Sequence, residues 1–307
     1  MHFAFIGAGA VGGYYGALLA RSGQDVSFIA RGKHLEAIRE HGLQIFSEAV
    51  GDFLVRTPAE SDPARIGPVD VVILAVKTYD NDTAIPMIRA LMGPHTTVLT
   101  LQNGVDSADQ LLAALGEGQV IAGATYIATA LESPGVIRQT GSHRRIVFGE
   151  CTGPRTEVSD RVRAIETVMK HADIYAEAVA DARPQIWEKF VFLSPLAAFT
   201  GTARLPIGPI WADADSQRAF LDTVEEVAAV AAGHGVVVPD GLRERVKAYV
   251  DKIPPTMRSS LLIDLQQGKR TEIESLPGSV VRRGRAVGVP TPMMSALYAV
   301  LKLHTHG

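Results

Sequence analysis

The sequence predicts two domains in series: an α/β domain with a doubly wound, mainly parallel sheet over residues 1–180, then an all-α domain over residues 181–307. Three observations carry this expectation. Apolar runs alternate with helical patterns through the first third of the chain. A glycine-rich turn joins the first run directly to the first helix. Past residue 180, β-branched runs give way to helical periodicity. A length of 307 residues suits two cores, since one core serves roughly 100–200 residues. No repeat at solenoid spacing and no low-complexity tract is visible.

Residues 2–6 form a short apolar run with strand character, and Gly7-Ala8-Gly9-Ala10-Val11-Gly12 follows at once. A helical pattern through Tyr14, Leu18 and Leu19 stops at Gly23, and residues 26–30 make a second strand. Strand, G-x-G-x-x-G, helix and strand in this order form the dinucleotide-binding (Rossmann) unit. Gly7 permits the tight turn, Gly9 lets backbone amides approach a pyrophosphate, and Gly12 allows close packing. The helix N-terminus then faces the anion. Residues 7–12 are therefore the expected pyrophosphate contact. The plainer alternative is a glycine-rich turn of any α/β domain.

An NAD site places an acid about 20 residues beyond the glycines to grip the ribose 2′-hydroxyl. Residues 26–34 contain no acid; Arg31, Gly32 and Lys33 stand there instead. A guanidinium suits a 2′-phosphate, so NADP(H) is the expected cofactor. The alternative is that Arg31 and Lys33 open a solvated loop. Residues 69–76 and 96–101 are further apolar runs, as expected of parallel strands covered on both faces. Between them, residues 81–91 read as a helix. Lys77 and Asn103 fall at the carboxyl ends of these strands, where ligands bind in open α/β sheets.

In the second half, residues 219–233 read as a helix stopped by Gly233-His234-Gly235. Another runs to Val250, where Pro254-Pro255 intervenes. Thr271 and Glu274 have capping-box spacing for a following helix. Residues 281–288 and 293–304 read as the last helical segments. The apolar stretch 205–212 is open to two readings, a dimer contact or an inward fold.

Composition excludes several function classes. Thirty basic residues against thirty-three acidic ones leave no basic excess for nucleic acid. No run reaches the ~18 apolar residues of a membrane helix; the longest tempting segment, 189–204, is interrupted by Ser194 and Pro195. Cys151 is the one cysteine, so neither an intrachain disulfide nor a multi-cysteine metal site is available. No basic region precedes the first apolar run, as a leader would need. A cytoplasmic protein without metal is expected. His143-Arg144-Arg145 and Arg282, Arg283 and Arg285 read as solvated faces, His304 and His306 as a terminal tail, and Cys151 as inert.

Ile6-Gly7-Ala8-Gly9-Ala10-Val11-Gly12-Gly13-Tyr14-Tyr15-Gly16, Ala30-Arg31-Gly32, Ala75-Val76-Lys77-Thr78 and Leu101-Gln102-Asn103-Gly104-Val105 resemble the 2-dehydropantoate 2-reductase (ketopantoate reductase) family. Trp187-Glu188-Lys189-Phe190, Ser259-Ser260-Leu261-Leu262-Ile263-Asp264, Thr271-Glu272-Ile273-Glu274 and Gly288-Val289-Pro290-Thr291-Pro292 extend the resemblance over almost the whole chain. It implies a cytoplasmic NADP-dependent oxidoreductase of pantothenate biosynthesis, reducing ketopantoate, a 2-oxo acid, to pantoate. It further implies a substrate role for the helical domain, whose apolar stretches are also the candidate contact of a homodimer. Lys189 would be the proton donor and Glu272 its acidic partner. Asn103 and Ser260 would contact substrate, with Asn103 also near the nicotinamide. Phe190, Val191, Phe192 and Leu193 would desolvate the Lys189 ammonium and lower its pKa toward working pH.

The chain departs from the family at three polar positions. Asparagines usual four and eight residues after the lysine are Leu193 and Ala197 here, and one before the serine pair is Met257. Ser194 could compensate, with Pro195 reaiming it. Two alternatives follow: a reductase of a more apolar 2-oxo acid or ketone, and an NADP(H)-binding protein without reductase activity.

Overall fold

The computed structural model describes residues 1–306. The chain forms two compact units: Met1–Gln102 with Ser107–Ala182, and Asn103–Asp106 with the chain from Arg183 onward.

The first unit runs β1 (His2–Ile6), α1 (Ala10–Arg21), β2 (Asp25–Ile29), α2 (Gly32–His41), β3 (Leu43–Ser47), β4 (Phe53–Val55), β5 (Ala59–Glu60), β6 (Val71–Leu74), α3 (Asn81–Ile88), β7 (Thr97–Thr100), α4 (Asp106–Leu115), β8 (Val120–Ser133), β9 (Val136–Glu150), α5 (Asp160–His171) and β10 (Tyr175–Asp181). One sheet contains every strand, in the order β4-β3-β9-β8-β7-β6-β1-β2-β5, with β10 added on β9. From β5 to β8 all neighbours are parallel. The doubly wound architecture expected from the sequence is present. Residues of β1, β6 and β7 are almost all buried, which is why they read as unbroken apolar runs.

The sheet then curls. The long strands β8 and β9 pair antiparallel, and β9 carries β3 along its first half and β10 along its second. Helix α1 is enclosed by this curl. Tyr14 Oη meets Ser47 Oγ on β3 at 3.3 Å, and Tyr15 Oη meets Thr125 Oγ1 on β8 at 2.7 Å. The sequence did not point to β3–β5 or to the β8–β9 hairpin, because these strands alternate in burial or end at the sheet edge. Arg144 was expected on a solvated face. Instead it is buried, donating to Asp173 Oδ1 at 2.7 Å and lying over the Tyr175 ring.

The second unit is helical: α6 (Arg183–Ala203), α7 (Ile207–Ala212), α8 (Ala214–Gly233), α9 (Leu242–Val250), α10 (Ser260–Gln266), α11 (Pro277–Ala286) and α12 (Pro292–Leu301). Helix α6 is its centre, touching α7, α8, α10, α11 and α12. It therefore buries residues around most of its circumference, among them Phe190, Val191, Ala197 and Gly201. Gly201 is where α6 and α10 approach: a Cβ there would lie 2.6 Å from Leu261 Cδ2. In the 205–212 stretch, Ile207 and Ile210 turn into this core while Leu205 is exposed.

The capping box expected at Thr271 is absent. Thr271 donates to the Thr305 carbonyl, and Glu274 is taken by Arg282 and the Tyr298 hydroxyl. Residues 273–276 form turns, and α11 begins at Pro277, whose fixed φ suits a first helical position. Among the described residues no helix is long and apolar enough to cross a membrane, and no group of three His, Cys, Asp or Glu could hold a metal. The Cys151 thiol is buried, and burial pushes its pKa up to about 12.

The backbone approaches very closely at Gly12, where a Cβ would lie 2.1 Å from the Gly7 carbonyl oxygen and 2.9 Å from Ala75 Cβ. Gly12→Ala is expected to cost about 1–3 kcal/mol through overpacking, read as a lowered midpoint of thermal unfolding. An unchanged midpoint would contradict this packing.

Candidate active site

The strand order reverses between β1 and β6, so the loops after these two strands are neighbours. Ile6 pairs with Leu74, which places Gly7 beside Ala75 and Val76. Gly7 has φ +103°, and a Cβ on it would lie 2.8 Å from the Val76 amide nitrogen. Only glycine meets both demands. At Gly9 a Cβ would meet nothing within 4 Å, so the backbone there faces open space. Gly9 is also the N-cap of α1, with no side-chain cap and no acid in the first turn. An open, uncapped helix N-terminus with bare amides fits a pyrophosphate. Ala8, Ala10 and Val11 complete this turn. His34 braces it: Nε2–H donates to the Ala8 carbonyl at 2.7 Å, while Nδ1 accepts the Gly135 N–H at 2.9 Å.

Arg31 is the N-cap residue of α2, directly after β2, with a largely exposed side chain. The sequence supplies no acid in its own stretch, but the fold brings one. Asp80, in the 3₁₀ turn Thr78–Asp80 after β6, accepts from Arg31 Nη2 at 2.6 Å. Lys77 is half-buried at the start of that turn, and its carbonyl accepts the Asp80 N–H at 2.9 Å. Gln102 and Asn81 lock the loops after β6 and β7. Gln102 Nε2 donates to the Val76 carbonyl at 2.8 Å and to Asn81 Oδ1 at 2.6 Å.

The second unit assembles a different chemistry. Asn103 follows Gln102 in sequence but packs with the helices. Lys189, in the second turn of α6, donates from Nζ to Asn103 Oδ1 at 2.7 Å. Part of the lysine side chain reaches solvent, yet protein crowds its ammonium. Burial pushes its pKa down to about 8, opposed by the Glu272 carboxylate, which favours the charged form. Glu272 is itself buried. Phe190 and Val191 are buried in the core beside the lysine, and Phe192 and Leu193 pack partly buried against it. Glu188 does not serve Lys189: it pairs with Arg245.

The segment carrying Asn103 is held at every residue. Gly104 has φ +97°, and a Cβ there would lie 2.8 Å from the Ser275 carbonyl oxygen. Val105 is buried in the helical core. Asp106 accepts from Ser279 Oγ at 2.9 Å, Arg283 Nε at 2.7 Å and Arg282 Nη2 at 3.0 Å. Arg282 and Arg283, read from sequence as solvated, are thus structural anchors. Arg283 also donates to the Val105 carbonyl at 3.0 Å.

Ser260 opens α10 and is partly exposed, whereas the cap is Ser259, whose Oγ accepts the Leu262 N–H at 3.1 Å. Ser194 does not compensate for the missing asparagines. It is fully buried, with Met294 Sδ 4.0 Å from its hydroxyl, because its place on α6 faces the core. Ala197 is fully buried as well, while Leu193 and Met257 pack at the core's margin.

The sequence family described as "Ketopantoate reductase PanE/ApbA" matches residues 3–153, and its C-terminal counterpart matches residues 181–305. The chain belongs to the ketopantoate reductase family. It is 32% identical to a 2-dehydropantoate 2-reductase of Mesorhizobium japonicum over 98% of this chain and 97% of that one. It is 31% identical to the uncharacterized oxidoreductase YkpB of Bacillus subtilis over 99% of both chains. The crystal structure of a 2-dehydropantoate 2-reductase from Geobacter metallireducens superposes with TM-score 0.91 at 30% identity, covering 99% of this chain and all of the other. A D-mandelate dehydrogenase with NADH and anilino(oxo)acetate shares the fold, with TM-score 0.88 at 22% identity over 99% of this chain and 98% of that one.

As a member of the ketopantoate reductase family the chain is an oxidoreductase built for a nicotinamide dinucleotide. Sequence reasoning missed Asp80, His34, Asn81, Asp106 and Arg283. The first four belong to contacts between segments far apart in the chain, with no local pattern to flag them. Arg283 was visible only as part of a basic cluster.

The opposing influences on Lys189 can be separated. Glu272→Gln removes the group that favours the ammonium, so the lysine should titrate below the wild-type value of about 8. Titration by NMR of labelled lysine checks this; an unchanged or raised midpoint would sink the pairing.

Proposed function

We propose that the protein reduces the carbonyl of a 2-oxo acid to the corresponding 2-hydroxy acid, with NADPH as donor and 2-dehydropantoate as the first substrate to test. The observation that carries this reading is the desolvated Lys189 ammonium, hydrogen-bonded to Asn103 and favoured by Glu272. Bound NADPH supplies a hydride, two electrons and one hydrogen, to the carbonyl carbon. Lys189 Nζ gives a proton to the carbonyl oxygen as the C=O becomes C–OH, and the lysine regains it from water. An ammonium near pKa 8 stays protonated at neutral pH yet gives up its proton more readily than an ordinary lysine. Asn103 holds Lys189 in place through Oδ1 and keeps its amide N–H groups for the ligand. The Ser260 hydroxyl, at the open start of α10, donates to the substrate. Glu272 keeps the donor charged.

Gly7, Ala8, Gly9, Ala10, Val11 and Gly12 form the pyrophosphate contact in this reading. Arg31 meets the 2′-phosphate, and Lys77 adds positive charge after β6. The preference for NADPH rests on Arg31, which has guanidinium N–H groups beyond the one given to Asp80.

A second reading of the substrate is favoured by Leu193, Ala197 and Met257. All three are apolar, and Ser194 points into the core. A site without these hydrogen-bonding groups has little with which to hold a distal hydroxyl, and a more apolar 2-oxo acid fits it better.

Lys189→Met is expected to lower kcat for reduction by about 10²–10⁴-fold, the usual scale for a lost general acid. In the wild type, kcat/KM for reduction should fall as pH rises through about 8, because the proton donor is lost there. Reduction that persists unchanged in Lys189→Met, or that rises through this window, contradicts the mechanism.

The substrate is decided by comparing 2-dehydropantoate with 3,3-dimethyl-2-oxobutanoate, the same acid without its hydroxyl. A site that hydrogen-bonds the hydroxyl should reject the second by about 10⁴-fold. Comparable kcat/KM values establish the apolar reading and overturn the first.

A further inference from the structure

The ion pair between Arg31 and Asp80 changes what Arg31 can do for the cofactor. Arg31 is exposed at the N-cap of α2, just past the end of β2, and its side chain has no other partner among the described residues. Asp80 is a more enclosed group, about one-fifth exposed against three-quarters for the arginine. Its backbone is fixed on both sides: the N–H donates to the Lys77 carbonyl at 2.9 Å, and the carbonyl accepts from Thr83 Oγ1 at 2.9 Å. The carboxylate is thus the stationary member of the pair and the guanidinium the mobile one.

We infer that Asp80 is a specificity-determining residue for the dinucleotide, lowering the preference for NADPH over NADH. The inference rests on the reading of Arg31 as the contact for the adenosine 2′-position. Dinucleotide sites that take NAD use a carboxylate at that position to accept from the ribose 2′-hydroxyl. The end of β2 lacks one, but Asp80 arrives from the loop after β6 and stands within hydrogen-bond distance of Arg31.

A 2′-phosphate drawn to Arg31 meets two costs. It must share or displace the existing partner of the guanidinium, and it brings its own negative charge close to a fixed carboxylate. Like charges at such range disfavour each other even near the surface. A 2′-hydroxyl meets neither cost and can donate to Asp80. The two residues together therefore form a near-neutral pair that accommodates both dinucleotides.

The test is the affinity of NADPH and NADH for the intact protein, read from nicotinamide fluorescence without substrate, in the wild type, Asp80→Asn and Arg31→Ala. Adenosine 2′,5′-bisphosphate and adenosine 5′-monophosphate, measured by calorimetry, isolate the adenosine end. Asp80→Asn should tighten NADPH about tenfold, equivalent to about 1.4 kcal/mol, while NADH is unchanged or weakened. The bisphosphate should tighten in parallel. Asp80→Ser, a second neutral variant, guards against a local packing defect in the first. If both neutral variants leave the NADPH-to-NADH ratio unaltered, or move both affinities by one factor, Asp80 has no such role. If Arg31→Ala leaves NADPH affinity intact, the underlying reading of Arg31 fails. Should Arg31→Ala weaken NADPH while neither Asp80 variant shifts the ratio, only the Asp80 inference falls.

Discussion

An ammonium crowded by protein needs a hydrogen-bond acceptor and a counter-charge, and the helical unit is organised to give Lys189 both. Burial alone drives the group toward its neutral form. The Glu272 carboxylate opposes this, and the balance leaves a pKa of about 8, while Asn103 Oδ1 accepts a hydrogen bond from the ammonium. Neither partner lies on α6. Glu272 comes from the stretch before α11, and Asn103 from a four-residue segment inserted between sheet elements in the sequence. The Lys189 ammonium therefore depends on tertiary packing more than on its own helix.

That dependence explains the investment in residues 103–106. A loop residue is a poor anchor for a buried charge, since loops are the mobile parts of most folds. Here Gly104 fits against the Ser275 carbonyl, Val105 enters the core, and Asp106 takes three side-chain donors from α11. Asp106 and Arg283 are both partly shielded, so their hydrogen bonds are screened less than an exposed pair would be. Asn103 is in effect attached to α11, and a shift of that helix would be felt at Lys189.

What could be read in the sequence follows from which constraints are local. β1, β2, β6 and β7 were legible because parallel strands covered on both faces are dominated by apolar residues. The glycine turn was legible because its demands fall on consecutive residues. The strands β8 and β9 were not. Their pairing is antiparallel, and burial along β8 falls away toward its end. The start of α11 was misread because Thr271 and Glu274 have the right spacing but other partners. Arg31 was legible as a cation and Asp80 was not legible as its partner. They are 49 positions apart in sequence and lie on adjoining loops of the folded sheet only because β6 inserts beside β1.

The fate of the three apolar substitutions bears on how a reductase site diversifies. On α6, Leu193 and Ala197 lie four residues apart and so share one face, next to the lysine's own turn. Making them apolar extends the core toward that face without disturbing Lys189, whose bond to Asn103 leaves the helix altogether. In the proposed reading, proton donation and recognition of the substrate's far end fall to separable residues. The first is tied to Asn103 and Glu272 and resists change, because loss of either partner leaves a buried charge exposed to its full desolvation cost. The second depends on Leu193 and Met257 at the margin of the core and on the buried Ala197; an asparagine and a leucine share a branching pattern and differ greatly in hydrogen bonding. On that reading, substrate preference can drift at Leu193, Ala197 and Met257 while Lys189, Asn103 and Glu272 remain under constraint.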